Sequence, residues 1–147
     1  MTKTAATSVA EVYTDGACIG NPGPGGWAAV ILINGKQQAL SGFEPDTTNN
    51  RMELTAVIRA LQKLPEQCAL CLFTDSQYVQ RGMTEWIGNW RKNDFRKVKN
   101  PDLWRQLDAL ANGRNIDWQW VRGHADCPGN ILADRLANDR ARQNTPE

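Results

Sequence analysis

The chain has 147 residues, with 17 lysines and arginines against 16 aspartates and glutamates, for a net charge of +1. Hydrophobic residues make up 41% of it, enough for the core of one globular domain. No stretch approaches the roughly 18 apolar residues of a membrane span. The start, MTKTAATSVA, lacks the apolar core of a secretory signal, so a cytoplasmic protein with no membrane partner is expected.

In chain order, residues 1–8 are small and polar and are expected to be loose. Val9 to Thr14 read as a strand and Trp27 to Ile33 as a second. Asn34-Gly35 is a two-residue hairpin signal that returns Lys36 to Phe43 as a third. Thr47 or Thr48 caps a helix closed by Pro65, with Leu54, Val57, Ile58, Leu61 and Leu64 on one face. The continuous apolar run 68–74, CALCLFT, reads as a strand buried on both faces. Ser76 caps a short helix through Tyr78 and Val79, and tryptophans and bases follow to Asn100. Helix 101–111 opens on Pro101, strand 116–121 alternates, and a polar loop from Arg122 to Asn130 leads to the last helix. Three meandering strands, a helix, a strand, helices, a strand and a helix predict an α/β fold with a five-stranded mixed sheet flanked by helices. Residues 9–142 form one domain in this reading, and 143–147 a tail.

Two motif matches fail on context. Tyr13 to Ala29, YTDGACIGNPGPGGWAA, contains the spacing of a dinucleotide loop, and Glu44 stands where a ribose carboxylate would be sought. That loop must open a helix whose N-terminus meets the pyrophosphate. Here a strand and a hairpin follow, and Pro22 and Pro24 lack the required N–H groups. Cys68, Cys71, His124 and Cys127 can be written as a zinc site. Cys68 and Cys71 lie in an apolar strand, however, where residues three apart face opposite sides. The four cysteines are expected to be reduced.

YTDG (13–16) and FTDS (73–76) both place aromatic-Thr-Asp at a strand's carboxyl end. If those strands are parallel neighbours, Asp15 and Asp75 stand side by side, at the end of the sheet where ligands bind. Glu53 shares a stripe with Val57, Ala60 and Leu64 and points inward from the first helical turn. Asp134 shares one with Ala137 and Ala141. Four converging carboxylates repel unless cations neutralise them, and such hard oxygen ligands suit Mg²⁺ or Mn²⁺. Two such ions are a standard clamp for phosphodiester hydrolysis. Spacing alone leaves this reading in balance with scattered surface acids. It likewise leaves His124 between a proton shuttle and a surface histidine without a role. From Arg91 to Lys99 there are five bases and one acid, with Trp86, Trp90 and Phe95 interleaved, an electrostatic footprint for phosphates or simply a solvated surface.

YTDGACIGNPGPGGW, TTNNRMEL, FTDSQYV, NWRKNDF with VKNPDLW, and WVRGHADCPGN-x-x-x-D together resemble the bacterial ribonuclease HI family, the type 1 ribonucleases H. The resemblance runs in order from about Val9 to Arg142. It implies the ribonuclease H-like fold and endonucleolytic hydrolysis of the RNA strand of RNA/DNA hybrids. Products would carry 5′-phosphate and 3′-hydroxyl ends, and the protein is expected to be a monomer. The family's metal-binding acids fall on Asp15, Glu53, Asp75 and Asp134, which would hold two Mg²⁺ ions (or Mn²⁺) with substrate bound. Its catalytic loop histidine falls on His124. Its hybrid contacts fall on Cys18, Asn21, Thr48, Asn49, Asn50, Gln77 and Asn100, and its basic protrusion on the segment holding Trp86, Trp90, Lys92, Arg96, Lys97 and Lys99. The glycine-proline segment becomes a wide turn that presents Asn21 and backbone to the nucleic acid. Asn and Gln amides both donate and accept, as reading a ribose 2′-OH requires. Two departures stand out: the basic segment is several residues shorter than in familiar members, and Ile131 replaces a common Glu. The four acids argue against a non-catalytic hybrid-binding module. The amide set argues against a resolvase or integrase core.

Overall fold

A computed structural model describes residues 9–122 and 127–143. The segment expected to be loose, His124, and residues 144–147 of the expected tail lie outside the described residues. The elements are β1 (Val9–Cys18), β2 (Gly23–Ile33), β3 (Lys36–Thr47), α1 (Asn49–Lys63), β4 (Ala69–Thr74), α2 (Gln77–Arg81), a π-helical segment (Gly82–Trp86), α3 (Ile87–Lys92), α4 (Pro101–Ala111), β5 (Ile116–Trp120) and α5 (Pro128–Ala141). The sheet order is β3-β2-β1-β4-β5. The first three strands pair antiparallel, and β4 lies parallel to both β1 and β5. The mixed five-stranded sheet read from the sequence is therefore the one that forms.

Alternation along β1 divides the core between the two faces of the sheet. Val12 joins Leu70 and Leu72 of β4 under Leu54, Val57 and Leu61 of α1 and Trp104 and Leu107 of α4. Burying each such side chain contributes about 1.5–3 kcal/mol. Ala17, Ala28 and Val30 meet Ala133, Ala137 and Ala141 of α5 on the other face. These small residues let α5 lie close to the sheet, which accounts for the alanine stripe that accompanies Asp134. Thr48 is the cap of α1, its Oγ1 accepting the Arg51 N–H at 3.2 Å. Ser76 caps α2 in the same way through the Val79 N–H, at 3.2 Å.

The structure corrects several local expectations, and β3 runs on to Thr47 where Phe43 was its expected end. β1 continues to Cys18, not Thr14, and β2 starts at Gly23, so the wide glycine turn shrinks to the hairpin end 19–22. Gly25 serves β2 by leaving room for Thr47 and Met52. β4 is buried on one face only, because α5 covers β1, β2 and β3 and leaves Cys71 and Phe73 half-exposed. Glu53 is the fifth residue of α1 and not in its first turn, so helix-dipole preference does not explain it. The polar loop before α5 is shorter, since Pro128 already opens the helix.

Gly16 sets how closely α1 approaches β1. A Cβ there would sit 2.5 Å from the Glu53 nitrogen and 2.7 Å from the Met52 carbonyl carbon, and backbone cannot move aside cheaply. Gly16→Ala is therefore expected to destabilise by about 1–3 kcal/mol, the usual range for overpacking. Gly88→Ala, in α3 with nothing within 4 Å of the added carbon, should instead stabilise by about 0.5–1 kcal/mol through helix propensity. Denaturant unfolding of the two variants checks the contrast in sign.

Candidate active site

The register of β1 and β4 pairs Tyr13 with Phe73 and Thr14 with Thr74, and there the parallel ladder ends. The two rings stack at 4.7 Å, and both threonines are fully buried. Asp15 and Asp75 are the next residues on each strand, so the two matching tripeptides bring their aspartates together. β1 alone continues, paired only with β2, and Asp15 lies opposite Ala28. By alternation Asp15 shares the α5 face of the sheet with Tyr13 and Ala17. Glu53 reaches it from α1, which covers the other face. The acids meet because no strand stands between the two faces at this point.

Oxygens of Asp15, Glu53 and Asp75 all lie within 4.8 Å of one another. Asp15 is 3% exposed and Glu53 5%. Burial first, then the Asp75 charge and a hydrogen bond shared with Asp134, push the Asp15 carboxyl up to about 8. Burial, followed by the charges of Asp15 and Asp75, holds Glu53 well above the usual carboxylate range. Asp134 stands outside the tight group of three but touches Asp15, and its carboxylate accepts from Asn138 Nδ2 at 3.2 Å. Among the described residues, Glu53 Oε1 is buried with no hydrogen-bond partner. A crowded, all-oxygen, partly unsatisfied donor set fits a hard divalent cation.

Sequence reasoning missed Trp120. Its Nε1 donates to the Asp75 carbonyl at 3.1 Å, and the neighbouring Val121 N–H donates to the Thr74 carbonyl at 2.9 Å. These bonds fix the carboxyl end of β4 from the β5 side. Its position as the last residue of an alternating strand level with FTDS was the available signal.

The other expected residues within the described segments lie at the end of β1, in the β1–β2 hairpin, at the start of α1, on α2 and α3, and in the segment before α4. Asn21 Oδ1 accepts the Asn49 N–H at 2.9 Å, joining the β1–β2 hairpin to the start of α1. Cys18 Sγ lies 3.4 Å from the Thr47 carbonyl oxygen. Because Thr48 does the capping, Asn49 and Asn50 are not needed as caps. Gln77 is exposed at the first position of α2. Asn100 adopts a left-handed conformation, φ 57°, ahead of α4. Trp86 and Trp90 pack together at 5.8 Å, and Trp90 meets the buried Trp104 edge-on at 4.8 Å. Phe95, 8% exposed, anchors the basic loop to the core. Lys92, Arg96 and Lys97 line a cleft of about 540 Å³ with Asn93 and Asp94, and Lys99 is exposed nearby. Ile131 is 45% exposed on α5.

A mixed sheet with a buried carboxylate cluster at the ends of two parallel strands defines a metal-site architecture suited to phosphoester hydrolysis. The RNase H family model matches residues 7–142. The chain is 56% identical over 133 residues to ribonuclease H of Stutzerimonas stutzeri, covering 87% of this chain and 88% of that one. It is 54% identical over 132 residues to ribonuclease HI of Pseudomonas aeruginosa, covering 86% and 89%. The crystal structure of LC9-RNase H1, a type 1 RNase H with the type 2 active-site motif, superposes with a TM-score of 0.85 at 32% identity, covering 95% of this chain and 74% of that one. LC11-RNase H1, solved in complex with RNA/DNA hybrid, gives 0.64 at 29% identity over 91% and 97%. The chain belongs to the bacterial ribonuclease HI family, and it is a nuclease, a hydrolase of that class.

The raised Asp15 carboxyl makes metal-free stability depend on pH. The folded group titrates near 8 and the unfolded one near 3.8, so between these values the folded state holds a proton that the unfolded state has lost. Stability is then highest at the acid end of the window and falls as pH rises toward 8. Asp15→Asn should remove part of that fall, with Glu53 retaining the rest. Thermal unfolding of both proteins in chelator from pH 4 to 9 should show the variant gaining on the parent as pH rises. Curves that stay parallel would refute the assigned shift.

Proposed function

We propose that the enzyme hydrolyses the RNA strand of RNA/DNA hybrids with two Mg²⁺ ions, or Mn²⁺ in their place, leaving 5′-phosphate and 3′-hydroxyl ends. The observation that carries this reading is the group of three carboxylates whose oxygens lie within 4.8 Å of one another. The hybrid bound by LC11-RNase H1 supports the substrate. The same reading takes the enzyme as a cytoplasmic monomer.

Asp15, Glu53 and Asp75, with Asp134 beside them, are the residues that would hold the ions. When bound, such ions supply an activated water and neutralise charge at the phosphate and the leaving oxygen. Asp15, on the open edge of β1 and beside both Asp75 and Asp134, would contribute a carboxylate to that cation site. Trp120 and the Thr48 cap keep Asp75 and the start of α1 in place. His124 would hold and pass a proton near the attacked phosphate. Cys18, Asn21, Thr48, Asn49, Asn50, Gln77 and Asn100 would seat the hybrid and read its riboses. Trp86 and Trp90 would give a stacking surface, and Lys92, Arg96, Lys97 and Lys99 would track phosphates.

Asp75→Asn keeps the shape and removes one charge. Cleavage of a labelled hybrid in Mg²⁺ is expected to fall by several orders of magnitude, while binding in chelator survives. Turnover near the parent's would end the metal-site reading. Neutralising Lys92, Arg96, Lys97 and Lys99 together should lower the slope of log K against log salt by about 0.9 for each phosphate left without its cation. Filter binding across a salt series measures it, and an unchanged slope would remove these bases from the interface.

A further inference from the structure

The two matching tripeptides, Tyr13-Thr14-Asp15 and Phe73-Thr74-Asp75, each set a threonine before an aspartate of the acid cluster, and the threonines are partners in the β1–β4 register. Both are fully buried. Alternation turns them toward α1, on the side of Val12 and Leu72. Their hydroxyls are used differently. β4 ends at Thr74, and Thr74 Oγ1 accepts the Ser76 N–H at 3.0 Å, which shapes the turn that carries Asp75. β1 runs on to Cys18, and the equivalent N–H, that of Gly16, is taken by Asp15 Oδ1 at 2.9 Å. Thr14 Oγ1 is left buried, with no hydrogen-bond partner among the described residues.

A buried hydroxyl without a partner keeps its desolvation cost and gains nothing for it. The element packed over it is α1, and Glu53 is the one polar side chain among the buried residues of that helix. Gly16, two residues beyond Thr14 on the same face of β1, marks the close approach: a Cβ there would lie 2.5 Å from the Glu53 nitrogen. Glu53 Oε1 is likewise buried and unpartnered among the described residues. A buried water takes about two to four polar partners, and two such atoms facing each other from strand and helix suit one. We propose that Thr14 is a positioning residue: its hydroxyl and Glu53 Oε1 share one buried water, and that bridge holds the Glu53 carboxylate turned toward Asp15 and Asp75. The inference rests on the metal-site reading above, in which Glu53 is one of the residues that would hold the ions. Partners of this kind orient a ligating carboxylate and raise its affinity for the ion.

Thr14→Val keeps the shape and removes the hydroxyl, while Thr14→Ser keeps the hydroxyl. Mn²⁺ titrated calorimetrically into the protein without substrate should bind about tenfold more weakly to Thr14→Val, and Thr14→Ser should restore the parent's affinity. Melting in chelator gives an independent readout, because its sign differs between the two cases. If the hydroxyl had no partner, Thr14→Val would raise the melting temperature. With the bridge in place it should lower it by about 2–4 °C, the loss of one ordinary hydrogen bond, and should raise it once Glu53→Leu has removed the carboxylate. A high-resolution crystal structure of the parent should show the water between the two atoms. A raised melting temperature for Thr14→Val alone, an unchanged Mn²⁺ affinity, or no water between the atoms would each overturn the inference. A purely structural threonine would shift melting without changing Mn²⁺ affinity and without depending on Glu53. If Thr14→Val fails to fold, Thr14→Ala carries the metal and Glu53-coupling comparisons. A parent that binds no Mn²⁺ would instead defeat the metal-site reading, and the melting and crystallographic results would still decide the bridge.

Discussion

Carboxylates held within 4.8 Å, two of them almost wholly buried, are the arrangement this fold is least able to tolerate alone. Desolvation and mutual repulsion both oppose their ionised forms, and the raised Asp15 and Glu53 carboxyls register that opposition. The rest of the molecule keeps the group together against it. The β1–β4 register sets two aspartates side by side, and Gly16 admits α1 close enough for Glu53 to join them. Alanines on α5 bring Asp134 alongside from the opposite face. A cation-dependent site follows from this electrostatics, because a cation is what turns the crowding into attraction.

The polar rim is built on a different principle from the acid cluster. Its members are neutral amides and a thiol, and they are tied to one another across elements distant in sequence. Asn21 bonds the start of α1, and Arg51 joins α1 to the corner before α4. Such ties limit side-chain freedom in the folded state. The acid cluster and this polar rim thus share α1 as a common rigid support, while the basic loop is anchored separately through Phe95 and the tryptophan cluster.

The sequence carried the fold because its signals were local and periodic. The hairpin at Asn34-Gly35 forms with positive φ at both residues, as two-residue turns of that kind require. The Leu54–Leu61 stripe and the Ser76 cap also acted as their patterns indicated. The pairing of Asp15 with Asp75 was legible because two matching tripeptides end two strands, and the ordered motifs gave the family. Element ends were less legible. β1 and β2 extend through glycines and prolines that discourage a strand locally, because Thr47, Met52 and α5 demand close approach there. β4 has the composition of a doubly covered strand, but α5 extends over β1–β3 only, and no local pattern states how far a helix reaches across a sheet.

By itself the sequence determined which residues were acidic, which faces were apolar and where helices were capped, since each depends on side chains a few positions apart. Tertiary structure decided what those residues meet. It placed Glu53 against Asp15 around the open edge of β1, assigned the Asp75 carbonyl to Trp120, and clamped Asn100 between Arg51 and Tyr78. Each of these pairings joins residues far apart in the chain, and its direction is fixed by the packing of whole elements, which no short window of residues encodes.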